Sequence, residues 1–173
     1  MKHLLLACLL TCTTLVQAQT IFQASREGNL EQIEALFIKD NNSINAKNNK
    51  GFTPLILAAY NNQLEVVSYL LKQKVNVDAQ DLSGNTALMG VCFKGNFEIA
   101  KLLIDNNANI NLPNYNQATA LIYASTFGHI AIVKYLLQKG ADKSLKDNRG
   151  NTALSHAEMQ GNLEIVSLLK VSK

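Results

Sequence analysis

The residues able to do chemistry in this sequence are few, and their spacing matches no catalytic pattern. The chain has three histidines and three cysteines. Catalysis needs a nucleophile beside a base, or carboxylates that face each other across a cleft. His129 follows Gly128 in a turn, and neither His129 nor His156 has a second His, Cys or carboxylate at the spacing of metal ligands. We therefore expect no enzyme activity, no metal and no cofactor.

The glycines and the overall charge argue against two further classes of ligand. The tip glycines are each isolated in a four-residue turn, whereas a phosphate-binding loop needs several glycines close together. The formal net charge is only +3, and nucleic-acid-binding domains usually have a pI above about 9 with one concentrated basic face. We expect neither a nucleotide nor a nucleic acid, which leaves recognition of another protein by a surface.

The first eighteen residues differ from the rest of the chain. Lys2 supplies a positive start, residues 4–16 are apolar with small hydroxyl residues, and VQA at residues 16–18 offers small side chains to a signal peptidase. This pattern predicts a secretory signal peptide over residues 1–18, cleaved after Ala18. We therefore expect a periplasmic or secreted protein with no membrane attachment after cleavage.

Two alternatives exist for this leader. It could stay as an uncleaved anchor, although its apolar stretch is shorter than the ~20 residues of a membrane helix. It could also be lipidated at Cys8, because LLAC at residues 5–8 resembles the box before a lipidated cysteine, but cleavage there leaves residues 9–18 as an apolar tail.

Removal of the leader leaves Cys92 as a single cysteine, which cannot form an internal disulfide. We interpret Cys92 as a small buried apolar residue; the alternative is a reactive or intermolecular thiol.

A repeat of 33 residues organises the remaining chain. Threonines recur at this interval, each followed two residues later by leucine, and each preceded by Asn or Asp and in three copies by Gly: Thr53, Thr86, Thr119 and Thr152. A period of this size is typical of a solenoid, in which units stack because none can bury its apolar face alone.

Each unit is predicted to be a helix, a tight turn and a second helix. A threonine can cap a helix, and Pro54 at the next position has no amide to leave unpaired. Gly or Asn follows nine residues after the threonine, where a left-handed residue ends a helix, and leucines then recur at helical spacing. The Asn or Asp and Gly before each threonine favour a turn with positive φ.

This pattern resembles the ankyrin repeat, on the evidence of Thr53-Pro54-Leu55 with Ala58 and of GAD at residues 140–142. The resemblance implies an all-α solenoid of helix-turn-helix units with hairpin-like β-turn tips, and together with the leader we expect an exported bacterial protein. Residues 19–173 would hold five repeats, the first and last acting as caps. Their approximate bounds are 19–47, 48–80, 81–113, 114–146 and 147–173. The first copy, at residues 20–37, is offset by 34, so we expect one extra residue in the loop around residues 40–43.

The chain departs from the family pattern at three kinds of position. Ile56, Met89, Ile122 and Ser155 replace the usual His, which removes the hydrogen bonds that this His makes to neighbouring tips. Gln117 replaces the tip glycine, which we expect to strain that tip by roughly 1 kcal/mol. Glu158 replaces a small residue between the helices, so we expect a looser last unit.

In the family, partners are held in a concave groove formed by the tips and the outward ends of the first helices. The resemblance therefore implies a partner-binding set at these positions: Asn49, Lys50, Phe52, Tyr60, Leu82, Asn85, Phe93, Lys94, Tyr115, Phe127 and Arg149. Aromatic residues and Arg are enriched in protein interfaces. The set contains no acid, so its three cations favour an acidic partner. Alternatively, Phe93 and Phe127 fold onto neighbouring units as satellite core.

The sequence thus predicts a monomeric, non-catalytic module that binds a protein partner through this groove. The alternative is a dedicated regulatory, protective or inhibitory subunit of one periplasmic enzyme. A third role, in binding a small ligand or in catalysis, would need a pocket with convergent polar groups.

Overall fold

The computed structural model describes residues 20–170, which form ten α-helices in five consecutive pairs. The predicted signal peptide at residues 1–18 lies outside the described residues. The pairs are α1 (Ile21–Glu27) with α2 (Leu30–Lys39), α3 (Pro54–Tyr60) with α4 (Leu64–Lys72), α5 (Ala87–Lys94) with α6 (Phe97–Asp105), α7 (Ala120–Thr126) with α8 (Ile130–Gln138), and α9 (Ala153–Met159) with α10 (Leu163–Lys170). The described part of the chain has no β-strand, and the predicted all-α helix-turn-helix solenoid is confirmed.

The predicted threonines begin the first helix of each pair. The hydroxyls of Thr53, Thr86 and Thr119 accept from the backbone N–H three residues on, at 3.2 to 3.4 Å. Thr20 and Thr152 do the same in the first and last units. Each hydroxyl pairs one of the amides that a helix N-terminus leaves without an internal partner, so the repeated threonine sets where each unit starts.

The helices stack in two layers, which place the core between them. First helices pack on first helices from α1 through α9, and second helices pack on second helices from α2 through α10. Leu55, Leu88 and Leu121, which follow the threonines, are at most 2% exposed. Every inner unit therefore buries apolar surface against the units on both sides.

Adjacent tips are joined by backbone hydrogen bonds that repeat along the stack. The N–H of Leu82 donates to the carbonyl of Lys50 at 3.2 Å, Tyr115 to Ser83 at 3.1 Å, and Asn148 to Asn116 at 2.9 Å. These bonds connect the tips although the family's histidine is absent. Its replacements Ile56, Met89 and Ile122 are buried instead.

A second ladder, which the sequence reading missed, joins the segments after the second helices. Asn45 Oδ1 accepts from the N–H of Asn76 at 3.1 Å, and Asp78 Oδ1 accepts from the N–H of Asn109 at 2.9 Å. Asn111 Oδ1 accepts in the same way from Asp142 at 2.9 Å. Within residues 20–170, both ladders join the second unit to the third and the third to the fourth, whereas the first junction has only the second ladder and the last only the tip bonds.

The extra residue of the first unit does not lie in the loop around residues 40–43, as the offset predicted. α2 has ten residues, whereas α4, α6 and α8 have nine, and both α2 and α4 end fourteen residues before the next capping threonine. Gly28 follows Thr20 by eight residues, whereas Gly95 follows Thr86 by nine. The stretch from the capping threonine to the left-handed residue is thus one residue shorter in the first unit, α2 is one residue longer than α4, and the loop keeps its length.

The structure also describes the other two departures. Gln117 has φ of +61°, so a residue with a Cβ occupies the left-handed tip position. Glu158 is exposed and pairs with Lys170 at 2.9 Å on the surface of the last unit. Within residues 20–170, every helix falls short of the length and apolar character required to cross a membrane.

Candidate binding groove

We define the groove as the surface formed by the tips and the C-terminal ends of the first helices. Nine of the eleven predicted binding residues are exposed there; Phe52 and Asn85 are half-buried. Phe52 packs against the core. The repeat register therefore placed most of the predicted side chains on accessible surface.

Three aromatic side chains from successive first helices and the following turn form a continuous row, which we call the aromatic row: Tyr60, Phe93 and Phe127. Tyr60 and Phe93 stack with ring centroids 6.2 Å apart, and Phe93 meets Phe127 edge to face at 4.5 Å. Phe93 remains 38% exposed and Phe127 46% exposed, so these two rings do not form a buried satellite core. Lys94 Nζ lies 5.2 Å from the centroid of Tyr60, within the range of a cation–π interaction.

Tyr115 and Leu82 lie on the tips, where both are mostly exposed. The Tyr115 ring covers Gly84 of the preceding tip: a Cβ at Gly84 would come within 2.8 Å of Tyr115 Cδ1. Among the described residues, no ring contact joins Tyr115 to the aromatic row.

A cavity of about 510 Å³ opens in the groove beside the aromatic row. Four predicted residues line it: Phe52, Tyr60, Asn85 and Phe93. Nine further lining residues lie outside the predicted set, and they include Arg26, Asp81, Met89, Gly90 and Tyr123. Asp81 places an acid in a groove that was expected to contain none. The sequence signal that could have found this acid is a comparison, from repeat to repeat, of the first tip residue with the residue nine positions later.

The Asn85 side chain serves the fold as well as the surface. Its Oδ1 accepts from Asn114 Nδ2 at 2.8 Å and from the Tyr123 hydroxyl at 3.2 Å. Burial of the hydroxyl raises the pKa of Tyr123; the Asn114 bond opposes this rise and the Asp81 carboxylate adds to it. The amide oxygen of Asn85 thus links the second and third described tips, while the residue also lines the cavity.

The two described histidines each contact the protein itself. His129 Nε2 lies 3.0 Å from the carbonyl oxygen of Phe93, and its ring covers Gly95. His156 Nε2 pairs with Asp147 Oδ2 at 2.8 Å, a contact that the sequence spacing did not reveal. Burial would raise the pKa of Asp147, but bonds from the backbone amides and from His156 hold that pKa below its usual value.

Neither the histidines nor the cysteine form a reaction centre in the described part of the chain. Residues 20–170 contain no group of three His, Cys, Asp or Glu side chains able to hold a metal. Cys92 is fully buried, and this burial raises the pKa of its thiol. Because the thiolate is the reactive form, the buried thiol is inert, in agreement with its interpretation as a small core residue.

The match to a known family agrees with this geometry. A family model described as ankyrin repeats (3 copies) matches residues 21–114, 74–147 and 112–173, so that its matches together run from α1 to the end of the chain. Comparison with the curated proteins found no match. Since the matches cover the whole solenoid, the chain belongs to the ankyrin repeat family.

Proposed function

We propose that this protein is a non-catalytic module that binds a protein partner through the groove. Ankyrin repeats are in general protein–protein interaction modules. The observation that carries the proposal is the aromatic row: three rings in contact with one another, each exposed by more than a third. Large aromatic side chains contribute most of the binding energy in many interfaces.

The scaffold that presents these rings supports the proposal. The backbone hydrogen bonds between the tips, and the bonds to Asn and Asp side chains after the second helices, join neighbouring units. A surface held in its binding geometry loses little conformational entropy when a partner docks. The groove is therefore suited to bind as a rigid template.

Charge around the groove favours a partner with an acidic surface. Lys50, Lys94 and Arg149 are all exposed, and the formal net charge of the chain is +3. Such rim charges act mainly on the rate of association and are screened by salt. We expect association with the partner to slow as ionic strength rises.

We propose further that the protein acts as a monomer outside the bacterial cytoplasm, with the leader at residues 1–18 removed and the repeat domain over residues 19–173. The mature N-terminus tests this proposal: sequencing should find Gln19 or an immediate neighbour. A lipid on Cys8, or a chain that still begins at Met1, would contradict it.

The groove is tested by replacing Tyr60, Phe93 and Phe127 with Ala in one variant and measuring capture of partners from the native envelope. We expect binding to weaken by about 2 kcal/mol or more, because the aromatic row supplies the central contacts. A matched control replaces Ile38 and Leu163, which are 81% and 80% exposed on the second helices, with Ala and should leave capture unchanged.

The proposal is wrong if the aromatic variant folds and captures every partner that the parent captures. The same experiment examines the narrower role of a dedicated regulatory, protective or inhibitory subunit. One dominant partner at equal stoichiometry would support that role, whereas several partners would indicate a general binding module.

A further inference from the structure

In each of the last four units, the first residue of the tip has an equivalent position nine residues later on the first helix, and in two units the side chains at these positions form a hydrogen bond. The pairs are Asn48 with Leu57, Asp81 with Gly90, Asn114 with Tyr123, and Asp147 with His156. In the fourth unit Asn114 Nδ2 donates to the Tyr123 hydroxyl at 3.2 Å, and in the fifth His156 Nε2 lies 2.8 Å from Asp147 Oδ2. In these two units the side chain on the helix therefore forms a hydrogen bond with the side chain of the tip residue.

The third unit has the same acid without this partner. Asp81 Oδ1 accepts from the amides of Ser83 and Asn85 at 2.7 and 2.8 Å, as Asp147 Oδ1 does from the equivalent amides of its own tip. Among the described residues, Asp81 Oδ2 has a single partner, Asn85 Nδ2 at 3.5 Å, which is longer than a good hydrogen bond. Gly90 stands where His156 stands in the last unit, so Asp81 Oδ2 lacks a strong donor.

The space for the missing side chain is open. Gly90 and Asp81 both line the cavity of about 510 Å³. A Cβ added at Gly90 would meet only Tyr60 Cδ2, at 3.4 Å, which is ordinary contact. Gly90 lies inside α5 without a positive φ, so the backbone does not require glycine there. Its effect is to leave a carboxylate at the bottom of an aromatic-walled opening.

We propose that this opening, the Asp81–Gly90 site, receives an arginine side chain of the protein partner. The guanidinium donates to Asp81 Oδ2 in the place that the imidazole of His156 takes in the last unit. Its planar cation is suited to walls made by Tyr60, Phe93 and Tyr123, because arginine stacks on aromatic rings and stays charged at all ordinary pH values. This inference rests on the proposed function and specifies one contact within it.

The neighbouring charges restrict what can flank that arginine. Arg26 lines the same cavity, and Lys94 lies over the Tyr60 ring. Both repel any incoming cation, so the arginine depends on its contact with Asp81, and a second basic residue beside it would be disfavoured. We therefore expect a partner segment in which one arginine is flanked by acidic residues, in agreement with the acidic partner that the rim favours.

The site is tested with N-acetyl-arginine amide and N-acetyl-leucine amide as probes, titrated into the isotope-labelled protein and followed by NMR. The arginine probe should shift the amides of Gly90 and Asn85 in a saturable manner, and the leucine probe should bind at least about tenfold more weakly. Asp81→Asn should weaken the arginine probe by about tenfold or more, since a hydrogen bond to a charged group is lost.

The repeat supplies matched controls for this substitution. Asn48 and Asn114 hold the same position in other units and accept the same two tip amides, so Asp81→Asn preserves the turn. Asp147→Asn removes an acid that is already paired with His156 and should leave the arginine probe unaffected. Gly90→His should place an imidazole on Asp81 and abolish probe binding.

Two results would overturn the arginine assignment: equal affinity for the leucine probe, or an arginine affinity that Asp81→Asn does not change. Either would make the cavity an apolar pocket. If the arginine probe fails while the aromatic variant loses its partners, the groove still binds protein and only this inference is wrong. If the probe binds while the aromatic variant keeps every partner, the proposed function fails instead.

Discussion

At the residue scale, one position between the helices shows how neighbouring atoms decide whether a buried polar group has a hydrogen-bond partner. Ser25, Ala59, Cys92 and Ser125 hold this position in the first four units and are all fully buried. Ser25 Oγ donates to the carbonyl oxygen of Ile21 at 2.7 Å, whereas Ser125 Oγ is buried without a hydrogen-bond partner. Two identical residues at equivalent positions therefore differ in how well the fold satisfies them.

This difference predicts that Ser125→Ala stabilises the protein by about 1 kcal/mol, because an unsatisfied buried hydroxyl is removed. Ser25→Ala is the matched control, since both substitutions change the helix propensity equally. We expect it to be less favourable than Ser125→Ala by about 1 kcal/mol, because it breaks a hydrogen bond. Urea unfolding of the three proteins measures both values, and equal changes in stability would contradict the argument.

At the element scale, one tip has a strained backbone and the second helices carry a charge cluster. Substitutions can measure the contribution of each to stability. Gln117 adopts φ of +61° where Gly51, Gly84 and Gly150 adopt φ near +80° in the other tips. Residues with a Cβ are disfavoured in this region, and glycine is not. The tip of the fourth unit thus keeps its shape at an energetic cost that the other tips avoid.

We expect Gln117→Gly to raise the free energy of unfolding by about 1 kcal/mol, through relief of this backbone strain. Gly150→Ala is the reverse experiment and should lower it by a similar amount, because φ is +81° there and no atom lies within 4 Å of the added Cβ. Chemical denaturation checks both. A destabilised Gln117→Gly would show that the Gln side chain supplies contacts worth more than the strain.

A charge cluster on the second helices predicts a dependence of stability on pH. Asp105 accepts from Lys101 at 2.8 Å, from Lys139 at 2.7 Å and from the Tyr135 hydroxyl at 2.5 Å, so that it joins α6 to α8. The hydrogen bonds from Lys101, Lys139 and Tyr135 hold the pKa of Asp105 well below its usual value. Because the folded pKa is lowered, this contribution to stability is present above the ordinary Asp pKa of about 3.9. It is lost as the pH falls below that value.

Asp105→Asn should accordingly lower the urea midpoint at pH 7, and the gap from the parent should close as the pH falls below about 4. Glu98→Gln is a control at an exposed acid of the same helix, and it leaves the hydrogen bonds of Asp105 in place. A gap for Asp105→Asn that stays constant down to the acid limit of folding would show that the carboxylate charge does not contribute.

At the scale of the whole molecule, stability follows the position of a unit in the stack. Within residues 20–170, the inner units are covered on both sides, whereas α9 packs on α7 and α10 on α8 from one side. The last unit also carries the exposed Glu158, and Leu163 of its second helix is 80% exposed. In a solenoid each unit is stabilised mainly by its nearest neighbours.

Hydrogen exchange should therefore be faster for the amides of α9 and α10 than for those of α5 and α6, because the last unit opens without the rest. Mass spectrometry of exchanged peptides measures this directly. Equal protection across all units would mean that the stack opens only as a whole, against the nearest-neighbour picture.

The unit architecture could be read from the sequence because its determinants are local. A capping threonine, a left-handed Gly or Asn and the leucines that follow act within a few residues of one another, so a 33-residue period reports them directly. The misplaced extra residue of the first unit shows the limit of such reasoning. The offset in the sequence shows that the first copy is shifted by one residue but not which element takes up the shift. In the packed structure α2 is longer and the loop is not.

The groove required the tertiary structure, because its contacts join residues of different units or depend on a side chain that is absent. Asn85 is satisfied by Tyr123 of the next unit, and the aromatic row forms across three units. The sequence predicted that Asp81 is a turn residue, and Asp81 accepts from two amides of its turn. Only the packed structure, in which Gly90 leaves its second oxygen without a strong donor, places that acid in a cavity where a partner can reach it.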